Sequence, residues 1–422
     1  YATHRHVLYT YEYVTRVLDW LPKGLNRETV AALASFHHRP LTTEQRWITE
    51  ADRLSAGIDR RDDESMEKQA ARRFCEIRLC SVAAGAGLDA ADSLPVCRLQ
   101  PLTPEAIFPH PPQPEPDPTA AYRALWDQFV AAWRRNRCTD PFRYIARAIG
   151  VLERYTWCIP SAVNAVPDVS LYDHLKASAA IAVALAGVPE DEPRPFVLAA
   201  GDLTGIQKYI FGFRMGVGGL ARRLRARSFN VNAFTQAMLL RILRELDLPL
   251  TQVILMAGDK FHLLLPNTPR ARESLERAAA EATQWLFGLS AGETAAVIAS
   301  RPCTREELLD FSGTLAELHQ ALREERARTA RSLLIRGGRW QEDRFLLDLN
   351  LMDGLCESCG RRGSRLRRDP DGENVVICDQ CVADEETGAR LPRARYVAFF
   401  DHCCPGGEKT PAADFCYVVL ND

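Results

Sequence analysis

The sequence predicts an α+β protein of several domains: a helical amino-terminal region, a ferredoxin-like β-α-β-β-α-β domain, and a small four-cysteine module near the carboxyl end. Three observations predict it. Apolar residues recur at helical spacing through much of residues 1–192. Residues 196–300 alternate short β-rich runs with two long helical patterns. Two CxxC pairs stand 18 residues apart between Cys356 and Cys381.

The central stretch organises the rest. Phe196 to Ala200 is a buried-type apolar run, followed by a basic loop and a helix from about Ser228 to Leu246. The β-rich runs Val253 to Met256 and Phe261 to Leu265 are separated by Ala257-Gly258-Asp259-Lys260, which reads as a tight hairpin. A helix from about Ala271 to Leu289 and an apolar run Ala295 to Ala299 complete the order. Asp202 closes the first strand and Asp259 sits in the hairpin, so both carboxylates are expected at one sheet edge. Palm-type nucleotidyl transferases place metal-holding carboxylates there, where two metal ions about 4 Å apart clamp the reacting oxygens. Lys260 stands where a second acid would, which suggests a degenerate palm that binds nucleotide without turning it over. A turn cap at Asp202 and a hairpin role for Asp259 fit equally well. Between Leu203 and Arg244 there is no acidic residue, and Arg214, Arg222, Arg223, Arg225 and Arg227 lie beside glycines. One-signed charge of this kind suggests a polyanion contact; a mobile basic loop is the plainer alternative.

With 422 residues there is enough chain for two to four domains with sizeable cores. The formal net charge of -2 means that nucleic-acid binding, if present, rests on local patches. The longest apolar helical stretch, Ala177 to Val188, is shorter than a bilayer span, and no signal peptide is visible, so a cytoplasmic protein is expected. The start at Tyr1 inside a helical pattern, and the closing strand FCYVVLND without neighbours, suggest an interior piece of a longer protein.

Taken in order, RHVLYTYEYVTRVLDWL, ETVAALASFHHR and EQRWITEADRLSAGIDRR read as helices. They bring His6, His37, His38 and Asp52 into view. In the HD phosphohydrolase fold, histidines and aspartates from separate helices converge on metal that activates water against a phosphodiester. Isolated helical histidines suit partly buried structural positions as well. After a polar segment, ARRFCEIRLCSV reads as helical, and PLTPEAIFPHPPQPEPDP carries too many prolines for a helix or a central strand. Helices return from Ala120 to Val188, with Asp168 and Ser170 as cap candidates; the Asp173-His174 pair there reads as structural. Residues EELLDFSGTLAELHQALREERARTARSLL predict one long charged helix with a solvated face, and RGGRW a basic turn.

Cys356, Cys359, Cys378 and Cys381 predict a structural zinc site. Each CxxC turn presents two thiolates on one side, and four sulfurs leave no open coordination position. Cys403 and Cys404 lack the spacing for a second site, and the arginines at 361, 362, 365, 367 and 368 suit either an RNA or subunit contact or a solvated hairpin.

These motifs together resemble the large subunit of type III CRISPR-Cas effector complexes, most closely subtype III-A (Csm-type). GDLTGIQKYIFG, LRARSF and AGDKFHLLLP are similar to that family's first palm domain. His6, the pair His37-His38 and ADRLSAG match the later elements of its amino-terminal HD nuclease, whose early His-Asp dyad these residues lack. The PLTP segment and the four-cysteine element also fall where the family has them. The resemblance implies domains at 1–105 (HD-type), 106–120 (linker), 121–192 (helical connector), 193–345 (first palm), 346–395 (zinc module) and 396–422 (start of a transition to a second palm). It implies cleavage of single-stranded DNA at His6, His37, His38 and Asp52 with manganese, nickel or magnesium. It further implies nucleotide contacts at Asp202, Gly205, Asp259 and Lys260 with magnesium and ATP. Synthesis of cyclic oligoadenylate would need a GGDD motif in a second palm, absent from these residues. The implied partners are CRISPR RNA, the small subunit, the backbone subunit at the 5' end of the guide, target RNA and single-stranded DNA, with no membrane. Two other readings stay open: an architectural RNA-binding subunit with inactive domains, and a stand-alone palm-type nucleotide cyclase.

Overall fold

The computed structural model describes residues 6–59, 78–80, 95–111, 116–162, 167–214, 216–329, 331–336, 338–342, 351, 353–368, 372, 374–401, 407–410, 412 and 415–420. Most of the expected helix ARRFCEIRLCSV, and Cys403 and Cys404, lie outside these residues. The chain forms two compact units. One comprises residues 1–196, 249–252 and 303–311; the other comprises 197–248, 253–302 and 312–422.

The first unit is helical: α1 (His6–Glu12), α2 (Arg27–Ser35), α3 (Thr43–Asp59), α4 (Pro118–Arg134), α5 (Pro141–Thr156) and α6 (Leu171–Ala186). The first expected helix is not continuous, since α1 passes into a π-helical turn at Tyr13–Val17. Local chemistry sets the starts. Asn26, Asp117, Asp140 and Ser170 each accept a hydrogen bond from a first-turn N–H, and proline follows directly at Pro118 and Pro141. α3 and α6 pack along one another, with Ala51, Leu54, Ala180, Ile181 and Ala184 buried. A second core gathers Leu125, Phe129, Tyr155 and Cys158, ringed by Tyr13, Trp133 and Trp157.

The second unit is built on β1 (Phe196–Thr204), α7 (Ile206–Phe211), α8 (Leu220–Glu245), β2 (Val253–Ala257), β3 (Lys260–Pro266), α9 (Pro269–Ser290) and β4 (Ala295–Cys303). The sheet order β2-β3-β1-β4 is that of the split βαβ unit, as the element order predicts. β2 and β3 are antiparallel from Val253 opposite Leu263 to Ala257 opposite Lys260, with Gly258 at φ 61° in the turn. β1 is buried almost throughout, which accounts for its unbroken apolar run.

The single helix expected after the sheet is three: α10 (Arg305–Leu309), α11 (Phe311–Ala327) and α12 (Arg331–Leu334). A capping box between Thr304 and Glu307 starts the first, and Asp310 leaves helical geometry to end it. A short hairpin of β5 (Ile335–Arg336) and β6 (Arg339–Trp340) occupies the expected basic turn. The cysteine module follows as hairpin β7 (Arg365–Arg368) and β8 (Asn374–Ile377) and helix α13 (Asp379–Arg390). β9 (Tyr396–Phe400), β10 (Glu408–Lys409) and β11 (Cys416–Leu420) form a sheet in the order β10-β11-β9.

α8 and α13 make one of the most extensive helix contacts in the molecule. Gly388 permits it: a Cβ there would lie 1.9 Å from the carbonyl oxygen of Arg222.

Candidate metal centres

In the helical unit, α1 supplies His6 and the turn after α2 supplies His37 and His38. The Nε2 atoms of His38 and His6 are 2.9 Å apart, and those of His6 and His37 3.4 Å. Ligand nitrogens about 2.0–2.1 Å from one ion stand about 3.0–3.4 Å apart, so the three rings fit a shared cation. His37 Nδ1 lies 2.8 Å from the Ala34 carbonyl oxygen; donating its proton there leaves Nε2 as a lone pair facing His6. Such an outer hydrogen bond orients a ligand histidine and fixes its tautomer.

Asp52, on α3, is turned towards a residue that sequence reasoning took as structural. Its Oδ1 lies 3.2 Å from His174 Nε2, and Ser55 Oγ lies 3.1 Å from His174 Nδ1. His174, on α6, is 9% exposed and Ser55 is fully buried, so the imidazole is held from both sides. The signal available in the sequence was the Asp173-His174 pair. The hydrogen bond from His174, with the nearby charges of His174, His37 and His38, holds the Asp52 carboxyl below the usual carboxylate range.

That depression contributes stability above the unfolded carboxylate pKa of about 4, lost as pH falls through the lower folded value. Asp52→Asn should therefore lower stability at neutral pH, and wild type and variant should converge in acid. Urea melts of both at neutral and acid pH check this; a gap independent of pH would refute it.

In the second unit, the sulfurs of Cys356 and Cys381 are 3.8 Å apart and those of Cys359 and Cys378 3.9 Å. Sulfurs about 2.3 Å from a tetrahedral zinc ion stand about 3.8 Å apart, so the four fit one ion. Cys356 and Cys381 are fully buried. The backbone N–H groups of Cys359 and Cys378 each donate to Cys356 Sγ at 3.4 Å, and that of Cys381 donates to Cys378 Sγ at 3.4 Å. The mutual sulfur contacts push the Cys356 and Cys359 thiols down and those of Cys378 and Cys381 up, so the four share their protons as one set.

The basic residues expected to meet nucleic acid are largely engaged inside this unit. Their run is not a loop: α8 begins at Leu220, after Gly219 at φ 79°, and so carries Arg222, Arg223, Arg225 and Arg227. Arg222 and Arg223 pair with Glu385 at 3.3 and 2.9 Å, and Arg223 is 1% exposed. Arg225 donates to the Gly388 carbonyl at 2.7 Å. Arg227 pairs with Asp384 at 2.9 Å, donates to the Tyr209 carbonyl at 2.9 Å and to Cys381 Sγ at 3.5 Å, and lies 3.9 Å over the Phe213 ring. Their counter-charges are the acids of α13. Arg214 is exposed, and its backbone N–H donates to the Ser358 carbonyl at 2.7 Å.

The expected nucleotide residues are also not gathered at an open edge. Asp202 lies within β1, 2% exposed, and its Oδ2 pairs with Arg326 of α11. Gly205 takes φ 72° ahead of α7, where a Cβ would lie 1.8 Å from the Glu293 carbonyl oxygen; its backbone position, not a ligand, requires glycine. Asp259 is partly exposed in the hairpin turn and Lys260 is exposed beside it.

The two units thus define a multidomain protein with two metal-competent centres, one of histidines and one of thiols, the latter bound into a split βαβ fold. Comparison with known proteins places that class. Residues 195–335 match the family model for Csm1 subunit domain B. The chain is 28% identical over 286 residues to the CRISPR system single-strand-specific deoxyribonuclease Cas10/Csm1 (subtype III-A) of Thermococcus onnurineus, covering 64% of this chain and 35% of that protein. The Enterococcus italicus protein of the same name is 30% identical over 187 residues, covering 39% of this chain and 24% of that one. A crystal structure of a Csm1-Csm4 cassette in complex with one ATP superposes with a TM-score of 0.66 at 20% identity, covering 99% of this chain and 51% of that one. The resemblance to the type III-A large subunit, expected from the motifs, is therefore upheld in both sequence and fold. The chain spans about half the length of the solved Csm1 chain and the matched segments cover less of the curated relatives. Among the described residues, no helix is long and apolar enough to cross a membrane.

Proposed function

We propose that this chain is the amino-terminal part of the large subunit of a type III-A CRISPR RNA-guided complex, and that its helical unit is a metal-dependent nuclease for single-stranded DNA. The convergence of His6, His37 and His38 is the observation that carries this reading. The three imidazoles would hold a divalent cation such as manganese, nickel or magnesium. Such an ion supplies Lewis acidity and a nucleophilic water at neutral pH. The Ala34 carbonyl orients His37, and His174, itself held by Ser55, orients Asp52 beside the cluster. Asp52, kept ionised by these neighbours and standing outside the three-imidazole group, is suited to take up a proton.

In this reading the split βαβ domain is the first palm, the zinc module fastens to it, and the complex is built on CRISPR RNA with a Csm4-type and other subunits and activated by target RNA. ATP and cyclic oligoadenylate synthesis belong to a second palm. Arg326 over Asp202 favours a scaffolding role for the first palm. That same pairing supports, as the second reading, an architectural subunit without catalysis.

Cleavage of labelled single-stranded DNA by the purified protein with manganese, alongside manganese titration calorimetry, separates the two. The nuclease reading expects His38→Ala to weaken manganese binding by about 10- to 100-fold or more and to abolish cleavage. Wild-type protein that binds no manganese and leaves DNA intact would establish the architectural reading instead.

A further inference from the structure

A groove of 890 Å³ lies within the second unit, between the outer faces of α8 and α9 and the α13 and β10–β11 elements. Neither metal centre uses it. Its wall on α9 carries Trp285, partly exposed and edge-on to Phe234 at 5.0 Å between ring centroids. Gln284 lies beside Trp285, while Gln380 of α13 lines the groove but donates its amide to the buried Asp384 at 3.0 Å.

The groove's lining carries three cations and three acids, and each acid is engaged by a cation other than Arg362 and Lys409. Glu281 is taken by Arg241 and Asp379 by Arg367. Glu408 accepts a hydrogen bond from Thr387 at 2.7 Å and lies 3.8 Å from Arg390. Arg362 donates only to the Gly288 carbonyl, at 2.7 Å, and Lys409 is exposed. Among the described residues neither is in an ion pair, so two cations without an ion-pair partner stand in the groove beside an aromatic ring and the Gln284 amide.

Gly288 adds an independent observation. It is exposed in the last turn of α9. A Cβ there would meet nothing within 4 Å, so no contact inside the chain requires glycine. What its absent side chain provides is depth in the groove wall.

From these features we infer that the groove binds an unpaired nucleotide: the base against Trp285 with its edge read by Gln284, and the phosphate between Arg362 and Lys409. Aromatic stacking with cationic capture of phosphate is the general chemistry by which proteins hold single nucleotides of a strand. The volume falls within the range of ligand sites. The nucleotide could be free or part of a single strand, and the inference stands apart from the nuclease reading, because no residue of the histidine centre takes part.

Photo-crosslinking of the whole chain tests it, with 8-azido-AMP as the free-nucleotide probe and a short single-stranded RNA carrying 4-thiouridine as the strand probe. Crosslinks should map to the peptide holding Trp285; whichever probe labels at lower concentration identifies the source. Gly288→Leu fills the groove from a helical position with open space, and should reduce that label roughly tenfold or more, as should Lys409→Glu with Arg362→Glu. Retained thiol-bound metal and unchanged circular dichroism establish that the variants are folded. Crosslinks confined to other peptides, or a label indifferent to Gly288→Leu in folded protein, would overturn the inference. Displacement of both probes by a phosphoserine peptide as readily as by AMP would also overturn it, in favour of a site for anionic protein segments.

Discussion

Cys381→Ser, or exhaustive chelation, should leave residues 356–390 without stable structure and loosen the first turns of α8 with them. The metal in such modules contributes on the order of 10–16 kcal/mol, more than a hairpin and a three-turn helix can supply from packing. The loss should spread because Arg227 donates to Cys381 Sγ and pairs with Asp384, while Arg223 depends on Glu385 of the same helix. Native mass spectrometry should show one metal ion lost per chain. Hydrogen exchange should rise both in α13 and in residues 220–230 of α8. Cys138→Ser, at a cysteine apart from the cluster, should change neither. Metal retained in the Cys381 variant, or α8 protected as before, would show that the four sulfurs are not the unit described.

Arg227→Met should destabilise the second unit by about 3–5 kcal/mol, because it strands the fully buried Asp384 carboxylate without its counter-charge. Adding Asp384→Leu should recover most of that loss, since an apolar pair of similar volume replaces a buried ion pair at little net cost. Arg227 also caps the Tyr209 carbonyl at the end of the GDLTGIQKYIFG segment, so the single variant should increase proteolysis there. Denaturant melts of Arg227→Met, Asp384→Leu and the double variant measure the cycle. A nucleic-acid role for Arg227 predicts the opposite pattern: unchanged stability, with affinity for single strands falling in both Arg227 variants. The two outcomes are exclusive for a side chain 3% exposed.

The Arg227 case shows where sequence reasoning stopped. Eight cations without an acid between Leu203 and Arg244 resemble a polyanion site only while their partners are out of view. The partners of Arg222, Arg223, Arg225 and Arg227 are Asp384, Glu385 and the Gly388 carbonyl, more than 150 residues further along. No local period or spacing links them. The same limit applies to Asp202, whose counter-ion lies on α11, and to His174, which looked structural until α6 was seen to lie along α3. Helix starts behaved otherwise. Ser170, a cap candidate in the sequence, opens α6 by accepting from the Asp173 N–H, because a cap and the N–H that donates to it lie within one turn of chain.

What the amino-acid order settled is everything whose partners are close in sequence: the β-α-β-β-α-β succession, the Gly258 hairpin, the paired CxxC turns and the His37-His38 step. Periodicity, turn chemistry and ligand spacing act over a few residues and can be read directly. Tertiary structure alone decided which charges are available. Burial against a distant helix turned Arg223, Arg227 and Asp202 from candidate ligand contacts into internal ion pairs, and made His174 the neighbour of Asp52. Whether an ionised side chain meets solvent or a counter-charge depends on what the fold packs against it, and that is a property of three-dimensional contact.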